Sequence, residues 1–149
     1  MNNLILDALE QTAARLPEKI AFADEQTEVS FSALVRRAQS VAAALIPLVP
    51  PRSVVGFYMD KGVETVVGFM GAVYAGCANA QLNLRHPAPR VRAKLETLDP
   101  PIVVRKQSAL TAQTISVTPR SQRKSISFVG LVKYAVGTIS TRAPVNRPL

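Results

Sequence analysis

The stretch "SVVGFYMDKGVETVVGFMGAVYAGCANAQLN", residues 53–83, decides the fold. It begins with a short apolar run without polar alternation, which is typical of a strand buried on both faces of a sheet. Apolar side chains at helical spacing follow at Val63, Val67, Met70, Val73 and Tyr74. Gly76 is placed to end this helix, because glycine adopts a positive φ at little cost. "CANAQLN" then predicts a second, weaker strand.

The pattern continues toward the C-terminus. "HPAPRVRAKLETLD" predicts a helix, because prolines are tolerated in a first helical turn. Val91, Leu95 and Leu98 fall on one face of it, and Pro100 and Pro101 end it. "IVV", residues 102–104, predicts another short buried strand. Strand, helix, strand, helix and strand in this order imply a parallel α/β sheet with right-handed crossovers.

The residues before this stretch contain the clearest helical pattern of the chain. An apolar stripe at helical spacing runs through Leu34, Ala38, Val41, Ala42 and Leu45. Ser30 or Ser32 is placed to cap the helix, since a serine hydroxyl accepts a hydrogen bond from a free backbone N–H. Pro47 lies just beyond its end.

The N-terminal segment predicts one more helix and a hairpin. "NLILDALEQTAARLP" has helical spacing and ends at a proline, with one face formed by Leu4, Ala8, Leu9, Thr12 and Leu16. "KIAFADEQTEVSF" predicts two short strands around a polar turn. We expect Ile20, Phe22 and Val29 to point inward from these strands.

Charge divides the chain into two parts. Residues 1–101 contain ten Lys or Arg and ten Asp or Glu, whereas residues 102–149 contain eight Lys or Arg and no acidic residue. The whole net charge of +8 therefore lies in the last 48 residues. This change predicts a boundary near residues 102–106, after which the chain is an appended basic tail or a frame-shifted one.

Several classes of protein are disfavoured by composition. No apolar run reaches the length of about 18–20 residues that a membrane-spanning helix needs, and the N-terminus lacks the cationic region of a secretory signal. A single cysteine, Cys77, fits a reducing, cytoplasmic setting. "TPRSQRK" carries three positive charges from Arg120 to Lys124, but it has no pattern typical of specific nucleic-acid recognition.

Residues 3–104 resemble the N-terminal region of the adenylate-forming enzymes, or AMP-binding synthetases, which include acyl-CoA synthetases and nonribosomal peptide synthetase adenylation domains. The resemblance lies in "EKIAFADEQTEVSFSALVRRAQSVAAAL" and in residues 53–104, where the family pattern is matched by Ala75, Gly76, Leu82, Pro87 and Arg90. Two positions depart from it, with Gln81 where the family usually has proline and Leu84 where aspartate is common.

The resemblance implies a fold and a division of the chain. We expect an α/β fold: a partial parallel-sheet subdomain with flanking helices, incomplete relative to the family, followed by an irregular basic tail. Residues 1–104 are then an N-terminal fragment of an adenylation domain. Residues 105–149 are a poorly ordered tail of unrelated or frame-shifted character.

The resemblance also implies an activity for the complete enzymes, which use ATP and Mg²⁺ to activate a carboxylic or amino acid as an acyl-adenylate. Their phosphate-binding loop, ending in Pro-Lys-Gly, and their catalytic residues lie downstream of the matched region. The tail contains only Gly130 and Gly137, no Pro-Lys-Gly and no acid for a metal or a ribose. We therefore assign no catalytic, cofactor-binding or metal-binding residue and expect no cofactor in this chain.

Two function classes follow. The first is an N-terminal fragment of an adenylating ligase that ends before its active site and is inactive alone. In a variant of this class, the chain is one part of a split enzyme, and a second chain supplies the missing segments. The second is a non-enzymatic binding or scaffold piece whose basic tail contacts an anionic partner. The sequence predicts no specific nucleic acid partner and no membrane span.

The individual polar residues of the matched region have structural interpretations. Gly76 and Pro87 end and begin helices, and Arg90 lies on a helix surface. His86 has no partner at catalytic or metal-binding spacing, and Cys77 has no activating neighbours, so both are interpreted as non-catalytic. Loop and first-turn positions are expected for Asp60, Lys61 and Glu64.

Overall fold

A computed structural model describes residues 4–105 and, as backbone, residues 124–127. Its helices are α1 (Leu4–Arg15), α2 (Phe31–Leu45), α3 (Val63–Tyr74) and α4 (Ala88–Leu98). Its strands are β1 (Ile20–Ala23), β2 (Glu28–Ser30), β3 (Val54–Tyr58), β4 (Ala78–Leu82), β5 (Ile102–Arg105) and β6 (Lys124–Ser127). The fold is therefore mixed α/β, as the sequence predicts.

The main sheet has the strand order β4-β3-β5-β6, and all of its strand pairs are parallel. Val55 faces Asn79 of β4 on one side and Ile102 of β5 on the other, which fixes the register of the central strand. Strand β6, which lies within residues 105–149, was not predicted from the sequence. Apart from Arg105 and β6, the residues of the predicted tail lie outside the described part of the chain. The prediction that the tail is poorly ordered falls on those residues.

Helix α2 forms where the sequence predicts it. Ser30 is its N-cap, and the Ser30 hydroxyl accepts a hydrogen bond from the backbone N–H of Ala33 at 3.4 Å. All five residues of the predicted stripe are buried. Leu34 and Leu45 are almost fully enclosed, and burying each such side chain stabilises the fold by about 2 kcal/mol.

Helices cover both faces of the main sheet. On one face, Val55 and Phe57 of β3 join a large apolar cluster with α2 and α3, and the rings of Phe57 and Phe69 meet edge to face at 5.2 Å. On the other face, Val91 and Leu95 of α4 form a smaller cluster with Leu82. This double cover explains why the central strand is a continuous apolar run.

Helix α3 ends as predicted. Its last residue is Tyr74, and Gly76 follows with a φ of 71°, in the left-handed region that favours glycine. The N–H of Gly76 donates to the carbonyl of Val73 at 3.0 Å. The chain then turns directly into β4, which places the two parallel strands side by side.

Several predicted inward positions are wrong. Ile20 and Phe22 are each 44% exposed, although Val29 is buried as predicted. Among the described residues no element covers the side chains of Ile20 and Phe22, whereas Ala21 between them packs against the large apolar cluster.

The predicted helical stripes are also wrong in part. Leu98 is exposed at the end of α4, whereas Val91 and Leu95 are buried. Ala8 of α1 and Leu16, just beyond the end of this helix, are exposed, whereas Leu6 is buried. The buried face of α1 is therefore rotated from the predicted one.

Across the described residues, no helix has the length and apolar character needed to cross a membrane.

Candidate functional site

A polar cleft of about 740 Å³ lies at the carboxyl ends of β3 and β4. Three segments form its walls. The first is residues 24–27 of the β1–β2 turn, and the second is residues 59–62 with Glu64, which follow β3. The third lies at the end of β4 and consists of Gln81, Asn83 and Arg85. In open parallel α/β sheets, ligands bind outside the carboxyl ends of the strands. This position makes the polar cleft the candidate site.

Asp24 organises one wall of the polar cleft. Its Oδ1 accepts hydrogen bonds from the backbone N–H groups of Gln26 at 2.9 Å and Thr27 at 2.8 Å, which closes the β1–β2 turn. Its Oδ2 accepts a hydrogen bond from the backbone N–H of Val63 at 2.8 Å. The carboxylate thus connects the hairpin to the first residue of α3.

These hydrogen bonds determine the ionisation of Asp24. The backbone donors, with Val63 first, stabilise the carboxylate and lower the pKa of Asp24 from 3.8 to about 2. Asp24 therefore stays ionised at neutral pH and is a weak base. Its role in the polar cleft is to hold backbone in place rather than to accept a proton.

Gly62 at the N-terminus of α3 leaves room for the Asp24 carboxylate. It is the N-cap residue and offers no side chain to the free N–H groups of the helix. A Cβ atom at this position would lie 2.8 Å from Oδ2 of Asp24. The glycine therefore lets a carboxylate from another segment cap the helix, which also places negative charge at the positive end of the helix dipole.

The opposite wall is held by side-chain contacts to backbone. Nε2 of Gln81 donates to the carbonyl of Met59 at 3.1 Å, and Oδ1 of Asn83 accepts from the N–H of Arg85 at 2.9 Å. The Thr65 hydroxyl donates to the carbonyl of Asp60. The polar cleft is therefore lined by positive side chains, Lys61 and Arg85, and by negative ones such as Asp24 and Asp60.

His86 lies just beyond the polar cleft, in the turn between β4 and α4. Its Nδ1 atom is buried and has no hydrogen-bond partner among the described residues. Burial lowers the pKa of His86, and the positive charges of Arg90 and Lys94 lower it further. No carboxylate of the described part of the chain contributes to this shift, so His86 lacks the partner there that orients a catalytic histidine.

The structure places the other residues named from the sequence as follows. Cys77 is buried, with its Sγ 3.8 Å from Oγ of Ser53, in agreement with a packed thiol. Pro87 is the N-cap of α4 and Arg90 lies on the exposed surface of that helix. Asp60 and Lys61 lie in the loop after β3, as expected.

Asp24 was not predicted from the sequence as a site residue. The local signal was an aspartate followed by threonine three residues later, a pattern in which the side chain accepts from the turn backbone. The contact with Val63, 39 residues away, had no sequence signal.

Within residues 4–105, no group of three or more His, Cys, Asp or Glu side chains is arranged to hold a metal ion.

The family model described as "AMP-binding enzyme" matches residues 9–141. The chain therefore belongs to this family. The match continues past residue 104, where the resemblance was predicted to end. The division into an adenylation-domain fragment and an unrelated or frame-shifted tail stays a prediction.

Curated relatives are large peptide synthases. The chain is 27% identical over 113 residues to gramicidin S synthase 2 of Brevibacillus brevis, a match that covers 75% of this chain and 2% of the relative. It is 29% identical over 100 residues to tyrocidine synthase 1 of Brevibacillus parabrevis, covering 66% of this chain and 9% of the relative. The chain thus spans less than a tenth of either relative.

Solved structures share the fold. The N-terminal subdomain of Klebsiella oxytoca NpsA, in complex with 3-hydroxyanthranilyl-AMSN, superposes with a TM-score of 0.76 at 14% identity. This superposition covers 96% of this chain and 34% of that chain. The nonribosomal peptide synthetase FmoA3 superposes with a TM-score of 0.67 at 22% identity, over 80% of this chain and 13% of that chain. The described α/β unit therefore has the fold found within the N-terminal subdomain of adenylation domains.

Proposed function

We propose that this chain forms the first part of the N-terminal subdomain of an enzyme that activates a carboxylic or amino acid as an acyl-adenylate, and that it has no such activity alone. The observation that supports this proposal most directly is the family match over residues 9–141. The activity of the complete enzyme, its acid substrate and its partners belong to the proposal.

Adenylate formation joins a carboxylate oxygen to the α-phosphorus of ATP and releases pyrophosphate. Catalysis of such transfers depends on positioning and on neutralising charge, for which phosphate-binding enzymes use a glycine-rich loop, a cation and a metal held by carboxylates. Four acids line the polar cleft, and one of them, Asp24, is already engaged, because its carboxylate accepts three backbone hydrogen bonds. Within residues 4–105 no three or more His, Cys, Asp or Glu side chains are grouped to hold a metal ion.

The described residues act as a scaffold in this proposal. Gly76 ends α3, Pro87 begins α4, and Asp24 connects the hairpin to α3. ATP and Mg²⁺ are held by segments outside these 149 residues, whether they follow in one polypeptide or belong to a complementing chain. The setting is the cytoplasm, where ATP is supplied.

The charge of residues 102–149 favours a second candidate function. Eight Lys or Arg and no Asp or Glu give this segment an attraction for polyanions. In that case the chain is a non-enzymatic binding or scaffold piece. For this alternative we expect the chain to bind an anionic polymer, and we expect this binding to disappear as the salt concentration rises. We also expect no gain of exchange activity when any complementing segment is added.

The inactivity of the isolated chain is tested by ATP–pyrophosphate exchange with pooled amino acids and pooled fatty and aryl acids, with ATP binding followed by calorimetry. We expect no exchange above background, against an active family member as positive control. Saturable ATP binding with acid-dependent exchange, abolished by Lys124→Ala, would overturn the proposal.

The scaffold role needs a separate test. Residues 4–105 replace the matched segment of tyrocidine synthase 1, and exchange is measured in the chimera. We expect exchange above that of the same relative with the segment deleted. A chimera that folds cooperatively but shows no exchange counts against the proposal.

The frame-shift prediction is tested on the gene. The other two frames beyond codon 104 are translated, and we expect a Ser/Thr/Gly-rich run ending in Pro-Lys-Gly in one of them. Early stops in both frames, with no such run, would favour an appended tail instead.

A further inference from the structure

Strand β4 lies at one edge of the main sheet. Among the described strands, it pairs with β3 on one side and has no neighbour on the other. Ala78 and Asn79 are exposed, and Ala80 and Gln81 are half-buried, so the outer edge of β4 is open to solvent. An open strand edge presents backbone N–H and C=O groups to which another strand can hydrogen bond.

The backbone groups on the outer edge of β4 belong to Asn79 and Gln81. The N–H of Ala78 donates to the carbonyl of Ser53 at 2.9 Å, so the backbone of Ala78 faces β3. Successive residues of a strand direct their backbone groups to opposite sides, and the register of β4 with β3 is unbroken over the whole strand. Asn79 and Gln81 therefore each direct an N–H and a C=O away from the sheet.

The outer edge of β4 lacks the features that protect sheet edges from other strands. Such edges usually carry charged side chains, proline or a β-bulge. Residues 77–83 contain no Lys, Arg, Asp, Glu or Pro. The regular register with β3 leaves no bulge in this strand. Neither charge nor shape therefore prevents a further strand from pairing here.

The outer edge of β4 is complementary to a second copy of itself. A two-fold axis through Ala80, perpendicular to the sheet, makes the two β4 strands antiparallel and sets Asn79 of each copy opposite Gln81 of the other. Both residues face outward, so each of the two pairs exchanges two backbone hydrogen bonds. The side-chain amides of each pair are uncharged neighbours on one face of the sheet. The small side chain of Ala80 lies at the axis, where the two strands are closest.

We propose that two copies of this chain associate through the outer edges of β4 and form one continuous sheet. A second copy fits better than a charged peptide, because the edge carries no charge to attract one. Two-fold pairing also covers this edge on both copies, so the assembly closes as a dimer. The strand is five residues long, so the dimer is weak, with a dissociation constant in the micromolar range. This inference does not rest on the adenylation chemistry proposed above.

Analytical ultracentrifugation of the whole chain over a wide range of concentrations measures the dimer. Ile20→Thr with Phe22→Ser is present in every protein tested, so that the exposed hairpin side chains do not contribute to association. We expect a monomer–dimer equilibrium in this background.

Substitution of Gln81 separates the backbone from the side chain. Gln81→Pro removes one outward N–H from each copy and is expected to weaken the dimer at least about tenfold. Gln81→Val is the matched control, because it retains the N–H. Both substitutions remove the side-chain contact with the carbonyl of Met59. We expect Gln81→Val to dimerise within a few-fold of the parent, and circular dichroism reports whether each variant is folded.

Cross-linking tests the register of the two strands. Ala80 lies opposite its own counterpart in a pair without direct hydrogen bonds, where the Cα atoms are about 4.5 Å apart, a distance that a disulfide spans. Ala80→Cys should therefore give a covalent dimer on mild oxidation. Asn79→Cys should not, because the two copies of this residue are more than about 7 Å apart. The parent chain, with the buried Cys77 alone, is the control.

Four results would overturn the proposal. The first is a monomer at every concentration, and the second is a dimer that a folded Gln81→Pro chain retains. The third is a lower melting temperature of Gln81→Pro in a chain that stays monomeric, since a strand of the same chain then occupies the edge. The fourth is equal cross-linking of Ala80→Cys and Asn79→Cys, which indicates random collision. If Gln81→Pro does not fold, the two cysteine variants decide alone.

Discussion

The Asp24 carboxylate accepts a 2.8 Å hydrogen bond from the backbone N–H of Val63, which lies 39 residues later in the sequence. The same carboxylate closes the β1–β2 turn through its other oxygen. One side chain therefore fixes the turn and caps α3. The hairpin and the parallel sheet are held together at the polar cleft by this contact.

Asp24→Asn is expected to lower the melting temperature. Asparagine has one acceptor oxygen in place of two, so it retains either the turn contacts or the cap on α3. Loss of a helix cap is measurably destabilising. Thermal unfolding followed by circular dichroism gives the change, with Glu25→Gln, in the same turn, as the matched control. Equal melting temperatures for the wild type and Asp24→Asn would show that the contact adds no stability.

The Asp24 contact also predicts a pH dependence. The pKa of Asp24 is about 2 in the folded chain and 3.8 ordinarily. A depressed pKa contributes stability that is present above pH 3.8 and is lost as the pH falls toward 2. The difference in denaturant midpoint between the wild type and Asp24→Asn should therefore be constant from about pH 5 to 7 and shrink below about pH 4. A difference that grows on acidification would contradict the sign of this shift.

Tyr74 connects α3 to α1, because its hydroxyl donates to Oε1 of Glu10 at 2.8 Å. Burial, followed by the hydrogen bond and the negative charge of Glu10, raises the pKa of Tyr74 above 10. The stability that protonated Tyr74 contributes to the folded chain is therefore present below pH 10 and is lost as the pH rises further. Tyr74→Phe is expected to destabilise the fold by about 1 kcal/mol, as for loss of one hydrogen bond.

Tyrosinate absorbance near 295 nm checks the Tyr74 prediction. The titration difference between the wild type and Tyr74→Phe isolates Tyr74 from the other two tyrosines. Glu10→Gln retains an acceptor but removes the charge, so it should lower the pKa of Tyr74 without abolishing the contact. If Tyr74 ionises at the pH of free tyrosine, the contact is absent in solution.

Gly71 sets the distance between α2 and α3. A Cβ atom there would lie 2.5 Å from Cγ1 of Val41 and 3.0 Å from the carbonyl oxygen of Ala38. Gly71→Ala is therefore expected to destabilise the fold by about 1–3 kcal/mol, although alanine favours helices over glycine. Val41→Gly removes both the Cγ1 and the Cβ atom, which would lie 2.5 and 2.6 Å from the added methyl group, so the double variant should lose less stability than the sum of the two single losses. Strict additivity in denaturant unfolding would show that the helices separate freely.

The parts of this fold that depend on local pattern could be predicted from the sequence. The α2 stripe and the Ser30 cap follow from spacing and from a hydroxyl beside free N–H groups, and both are confirmed. The long-range contact of Asp24 and the parallel pairing of β6 join residues far apart, so no local pattern contains them. Ile20 and Phe22 were predicted inward because alternation implies a covered face, and no described element covers theirs.

The exposed apolar side chains of the first hairpin predict association in solution. Leu16, Ile20 and Phe22 are all more than 40% exposed, within seven residues of sequence. Unpaired strand edges that carry apolar side chains are sites of aggregation. We expect low solubility and strong binding of a dye such as ANS. Ile20→Thr with Phe22→Ser should reduce dye fluorescence and light scattering with little loss of melting temperature, because neither residue is part of the core.

Leu34→Ser, a buried position in α2, is the opposite control and should increase dye binding as the core loosens. A wild-type chain that stays monomeric at high concentration and binds no dye would show that the outer face of the hairpin is covered in solution.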